Sequence, residues 1–81
     1  MAKQPINMPR FGVNNSQGDI LEWLVKVGDT VEEGDSLLRI TYEKGEAEIE
    51  ALFNGTIAEI IAKPGETYKV GRCLGYIDAT E

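Results

Sequence analysis

One amine stands apart in this chain. In RITYEKGEAEIEA, residues 39–51, Lys44 lies between Glu43 and Gly45, and Glu46, Glu48 and Glu50 alternate away from it. A lysine becomes a nucleophilic catalyst when burial or a neighbouring cation pulls its pKa down from about 10.4. Glu43 and Glu46 do the opposite and favour the ammonium. Lys44 therefore has the chemistry of a group that another enzyme modifies, or of a solvated turn lysine, and not of a catalyst. The chain has no histidine and a single cysteine, Cys73, so it offers no zinc site and no Ser-His or Cys-His arrangement. Chemistry by carboxylates alone stays open, and no catalytic residue and no metal ligand is assigned.

The elements that must hold Lys44 are those of a small domain. The 81 residues form one unit, 1–81, and a chain of this length buries only about 60% of its unfolded surface. Apolar content of 42% and charged content of 27% match an ordinary globular protein. A net charge of −6 without a basic cluster excludes nucleic acid as the expected partner, because phosphate binding needs a concentrated positive field. Proteins with positive patches suit it better. Cys73 cannot form an internal disulfide and is expected to be a small buried apolar residue in a reducing compartment. No apolar stretch approaches the ~20 residues of a membrane span, and MAKQPINMP has no signal-peptide core. A cytoplasmic location is expected, or the mitochondrial matrix in a eukaryote.

The chain repeats itself. GDILEWLVKVGDTVEEGDSLLRI (18–40) aligns without a gap on GTIAEIIAKPGETYKVGRCLGYI (55–77), at an offset of 37 residues. Gly18, Ile20, Glu22, Lys26, Gly28, Thr30, Gly34, Leu37 and Ile40 meet identical residues, and the coincident glycines predict that both halves bend alike. Runs of strand-forming residues fall at 20–27, 36–42, 46–52, 55–62 and 73–78, separated by Gly-Asp and Gly-Glu punctuation. Over 46–51 the glutamates face one way and Ala47, Ile49 and Ala51 the other, with Phe53 continuing the apolar side and Leu52 breaking the pattern. Nine glycines and three prolines leave no sustained helical period. INMPRFG (6–12) also resembles IEALFNG (49–55), but the first half carries six extra residues, 13–18, before its next strand. They predict a solvated loop, either neutral or used for recognition. Trp23 matches Ile60, which predicts packing and not binding.

A duplicated all-β unit of this size with a lysine at the junction of its halves resembles the lipoyl domain of the biotinyl/lipoyl carrier family, as found in the acyltransferase component of 2-oxo acid dehydrogenase complexes. INMPRFG, GDILEWLVKVGDTVEEGDSLLRI, YEKGEAEIEA and GTIAEIIAKPGETYKVG carry the resemblance in order and cover nearly the whole chain. It implies an all-β flattened barrel-sandwich hybrid: two four-stranded antiparallel sheets related by a pseudo-twofold axis. It implies lipoic acid on Lys44, with Glu43 and Gly45 read by the modifying enzyme. In the family the lysine usually sits in an Asp-Lys-Ala triplet; here the triplet is Glu43-Lys44-Gly45, with a longer acid and a looser turn. The biotinyl branch brackets its lysine with methionines, whereas Met1 and Met8 are the methionines here.

The resemblance further implies a non-catalytic carrier. Its partners would be a thiamine-diphosphate 2-oxo acid decarboxylase, an acyltransferase core, dihydrolipoyl dehydrogenase, and a lipoate ligase or the lipoyl synthesis enzymes. The loop 13–18 would help the decarboxylase recognise its carrier, with Val13, Asn14, Asn15, Ser16, Gln17 and Gly18 as candidates beside Arg10 and Phe11. A sequence ending at DATE without an Ala/Pro-rich linker is expected to be an excised domain or a free-standing carrier. A biotin carrier and an unmodified docking module remain the alternatives.

Overall fold

The computed structural model describes residues 2–10, 16–42 and 45–80. Eight strands follow in chain order: β1 (Ala2–Asn7), β2 (Gln17–Trp23), β3 (Thr30–Val31), β4 (Ser36–Tyr42), β5 (Gly45–Glu50), β6 (Gly55–Ile60), β7 (Thr67–Lys69) and β8 (Cys73–Ala79). They form two antiparallel four-stranded sheets in the orders β1-β8-β6-β3 and β5-β4-β2-β7. Shifting β2, β3 and β4 by 37 residues, and β1 by 43, turns each sheet order into the other. The approximate dyad that the resemblance implied is thus present in the topology.

The duplication extends to irregularities. Gly28 and Gly65 take φ of 97° and 92°, and Gly34 and Gly71 take 96° and 92°, so both halves turn through the same left-handed conformation. The Gly28 N–H donates to the Ile57 carbonyl and the Gly65 N–H to that of Ile20, each at 2.8 Å. The register slips between Ile20 and Glu22 in β2 and between Ile57 and Glu59 in β6. A second pair of slips falls at Leu37 in β4 and at its equivalent, Leu74, in β8; the first lets Leu37 and Leu38, consecutive in β4, both point inward.

The third coincident pair, Gly18 and Gly55, does not bend the chain as expected. Both are buried in strands where another backbone or core side chain comes close. A Cβ on Gly55 would collide with the Asp78 carbonyl oxygen, and one on Gly18 would press on Ile40 Cδ1 at 3.2 Å and Met8 Cε at 3.3 Å.

The core lies between the sheets and is built from repeat pairs: Ile6 with Ile49, Ile20 with Ile57, Leu37 with Leu74, Ile40 with Ile77. Trp23 packs on it from the side, and its Nε1–H donates to the Ala62 carbonyl at 2.7 Å, which bears out the packing reading. Three expected strands end early. Those expected to reach 27 and 62 end at Trp23 and Ile60, because the chain there leaves one sheet for the other. The turn at Lys26–Asp29 is closed by the Asp29 carboxylate accepting from the Lys26 N–H at 2.9 Å, and Glu66 does the same for Lys63. Phe53 does not continue the apolar face of β5, because that strand stops at Glu50. Phe53 stays partly exposed, lining a shallow cavity with Pro5 and Ile6, and Leu52 is 74% exposed. Cys73, expected to be buried, is half-buried, with its thiol donating to the Gly75 carbonyl at 3.3 Å.

Candidate cofactor-attachment hairpin

β4 and β5 pair from Ser36–Glu50 to Tyr42–Gly45, where the ladder closes. The chain passes from Tyr42 to Gly45 through Glu43 and Lys44, which lie outside the described residues. Gly45 has φ +151°, a conformation that side-chain-bearing residues rarely adopt, although no atom stands within 4 Å of where a Cβ would be. The backbone, and not crowding, therefore calls for glycine where the family usually has alanine.

Arg39 anchors the outer face beneath this closing pair. It stands on β4 with β2 and β5 on either side. Its Nη1 donates to Glu22 Oε2 at 3.0 Å and its Nη2 to Glu46 Oε1 at 2.9 Å. Those two bonds, Glu22 first, hold the guanidinium even more firmly protonated than usual. The Ser36 hydroxyl donates to Glu48, and the Thr67 hydroxyl to Asp19. Glu46, Glu48 and Glu50 are all exposed, the solvated face expected from their alternation. Two of the three are thus tied to neighbours.

The hairpin end lies opposite the Ala2–Ala79 end of the other sheet. At the opposite end of β4, the Ala51 N–H donates to the Asp35 carbonyl and Asn54 accepts from the Thr80 N–H. Ala2 pairs with Ala79, and Ala79 with Gly55, at that far end.

The structure brings the predicted recognition residues only partly together. Arg10 is exposed; Phe11, Val13, Asn14 and Asn15 lie outside the described residues. Ser16 is exposed, and its carbonyl accepts from the Val70 N–H at 3.0 Å. The loop does not extend to residue 18. Gln17 and Gly18 belong to β2, paired with Lys69 and Tyr68, and Gly18 is buried beneath the Ile40 and Met8 side chains. Sequence reasoning missed the turn Val70–Arg72, which grips both sides of this segment. The Gly71 N–H donates to the Met8 carbonyl and the Met8 N–H to the Arg72 carbonyl, each at 2.9 Å. Its signal was the repeat's mismatches: Lys69-Val70-Gly71-Arg72 occupies the place of Glu32-Glu33-Gly34-Asp35. Among the described residues, no group of histidine, cysteine and carboxylate side chains could hold a metal ion.

Two dyad-related sheets around one core, with the β4–β5 ladder closing at one end, define a barrel-sandwich domain. The family model described as Biotin_lipoyl, biotin-requiring enzyme, matches residues 4–77. The chain belongs to this biotinyl/lipoyl family. It is 45% identical over 75 residues to the dihydrolipoyllysine-residue acetyltransferase component of the acetoin cleaving system of Bacillus subtilis, covering 91% of this chain and 19% of that protein. It is 35% identical over 78 residues to the lipoamide acyltransferase component of the branched-chain alpha-keto acid dehydrogenase complex of the same organism, covering 96% and 18%. The lipoyl domain of the 2-oxoglutarate dehydrogenase complex of Azotobacter vinelandii, solved in solution, superposes with a TM-score of 0.73 at 31% identity over 95% of each chain. The chain thus spans about a fifth of the length of these curated relatives.

Proposed function

We propose that the chain is a lipoyl carrier domain serving a 2-oxo acid dehydrogenase or acetoin-cleaving type of complex, with lipoic acid amide-linked to Lys44. The observation that carries the reading is the Tyr42–Gly45 closing pair. It leaves only Glu43 and Lys44 between two strands whose own residues are held in a ladder, at the end of the molecule remote from the Ala2–Ala79 pair. Lipoic acid would supply a disulfide able to take up an acyl group with reduction and release it as a thioester. The chain's residues would fix where that arm starts: β4 and β5 hold the hairpin, Arg39 ties β5 and β2 to β4, and Gly45 permits the turn. A rigid base and a mobile arm raise the effective concentration of the cargo at each partner site.

The partners on this reading are the thiamine-diphosphate decarboxylase, the acyltransferase core and dihydrolipoyl dehydrogenase, with a lipoate ligase or the lipoyl synthesis enzymes attaching the cofactor. The domain itself is non-catalytic, and it works in the cytoplasm or, in a eukaryote, the mitochondrial matrix. Lipoate is favoured over biotin because the relatives and the solved neighbour described above are of lipoyl type. Incubation of lipoylated chain with thiamine-diphosphate decarboxylase and a 2-oxo acid tests the reading. Wild type is expected to gain one acyl group and Lys44→Arg none; acylation of Lys44→Arg contradicts it.

A further inference from the structure

The two dyad-related turns, Glu32–Asp35 and Lys69–Arg72, share a backbone path and differ in charge. Gly34 and Gly71 adopt φ of 96° and 92°, and the Gly34 N–H donates to the Ala51 carbonyl as the Gly71 N–H does to that of Met8. The first turn is acidic at three positions and the second basic at two. The acidic version has a local structural reason. Asp35 Oδ2 accepts from the Glu32 N–H at 2.9 Å and closes its turn. Arg72 stands at the equivalent place and can accept no such bond. Folding alone therefore favours an acid or amide at 72, and the arginine calls for another explanation.

The place of this turn supplies one. Lys69 pairs with Gln17 on β2, beyond the Asp19–Thr41 pair and so at the same end of the sheet as Tyr42–Gly45. β7 lies two strands from β4, roughly 10 Å at the usual strand spacing. Lys69 and Arg72 are both exposed, and among the described residues the ion pairs are those of Arg39. The acidic turn lies at the far end, where the Glu33 N–H donates to Asn54 Oδ1. A chain of net charge −6 thus keeps two cations beside the hairpin and the loop neck, and its acidic copy of the same turn away from them.

We propose that Lys69 and Arg72 form a docking contact for a carboxylate-rich rim on the thiamine-diphosphate enzyme that acylates the arm. This rests on the carrier reading above and adds a partner surface to it. A cation pair on the flank of the hairpin attracts and orients such a rim, while the β5 flank, with Glu46 and then Glu48 nearest the hairpin, disfavours it, so the approach has one favoured rotation. The contact acts on encounter, not on the chemistry of the arm.

The test compares Lys69→Glu/Arg72→Glu with Lys3→Glu/Lys26→Glu, which changes net charge equally but away from the hairpin end. Both variants and wild type are lipoylated with a lipoate–protein ligase. Their reductive acylation is then measured with the thiamine-diphosphate components of the Bacillus subtilis acetoin-cleaving and branched-chain systems. The expected result is equal lipoylation of all three and a roughly tenfold lower kcat/KM for the 69/72 variant, with the control within about twofold of wild type. Lys69→Gln/Arg72→Gln, which adds no acids, is expected to fall about threefold and guards against misfolding. Equal losses in the 69/72 variant and the control, or no loss in either, overturn the docking contact while leaving the carrier reading intact. A wild-type chain that is not lipoylated, or is lipoylated but acylated by neither enzyme, overturns the carrier reading and the contact with it.

Discussion

The two sheets agree at four pairs of inner positions and disagree across their outer faces. Facing the core, Ile6, Ile20, Leu37 and Ile40 meet the same residue types at Ile49, Ile57, Leu74 and Ile77. On the outside, Ser36, Arg39, Glu46 and Glu48 of the hairpin sheet face Cys73, Tyr76, Lys3 and Pro5 at the equivalent places of the other. Packing two copies of one unit around an approximate dyad holds these four pairs to matching shapes, whereas Leu38, Met8 and Val31 meet Gly75, Ala51 and Tyr68 and fill the core unequally. No such restriction acts outside, and there each sheet has taken its own surface. The hairpin sheet carries a charged lattice around Arg39, and the other a half-buried Tyr76 whose hydroxyl is held protonated to higher pH chiefly by its bond with Cys73.

The sharpest break in this comparison is expected at the glycine pair that is identical in sequence and unlike in surroundings. Gly55→Ala drives a methyl into the Asp78 carbonyl of an adjacent strand and is expected to cost about 3 kcal/mol or more. Gly18→Ala meets only the ends of the Ile40 and Met8 side chains, which can shift, and is expected to cost about 1 kcal/mol. Urea unfolding of both variants measures the gap. Equal losses would mean that the two sheets are more alike at this level than the geometry says.

Gly34→Ala and Gly71→Ala should behave the other way, as an equal pair. Each places a Cβ in open space but at positive φ, so each is expected to cost about 1–2 kcal/mol through backbone strain alone. A difference well beyond 0.5 kcal/mol between them would show that the charge inversion of the two turns has altered their backbones too.

The smallest effect is a titration. The Tyr68 hydroxyl donates to Glu66 at 2.7 Å and, with the Lys63 N–H, holds that carboxyl below the ordinary carboxylate range. The folded state thus favours the Glu66 carboxylate. Its contribution to stability is present above the ordinary range and is lost as pH falls through the lowered value. Val31 occupies the equivalent place in the first half and has no hydroxyl to offer. Tyr68→Phe should therefore move the Glu66 titration upward, followed through its side-chain carboxyl carbon by NMR. An unmoved midpoint would remove the hydroxyl bond from the account.

The duplicated part of the core was legible in the sequence because packing imposes it pair by pair. β4 and β5 were read nearly to their ends, since β-branched and aliphatic residues alternate there with charge. β1 was not, because Lys3, Gln4 and Pro5 have little strand propensity of their own. Proline is tolerated there because β1 is an edge strand that pairs with β8 alone. β3 and β7, two and three residues long, exist through their partners β6 and β2. The loop was given two residues too many because Gly18 looks like punctuation, whereas the structure uses it to let Met8 and Ile40 close over β2. Glu43 and Lys44 stand where a local sequence pattern and a nonlocal strand pairing meet, so the site's location rested on the repeat more than on its own neighbours.

Mass spectrometry of a proteolytic digest, after treatment with lipoate and a lipoate–protein ligase, tests the assignment most directly. The account predicts a single lipoyl group, found on the peptide containing residue 44, and no mass gain in Lys44→Arg. Lipoylation at Lys3, Lys26, Lys63 or Lys69, or an undiminished gain in Lys44→Arg, would contradict it.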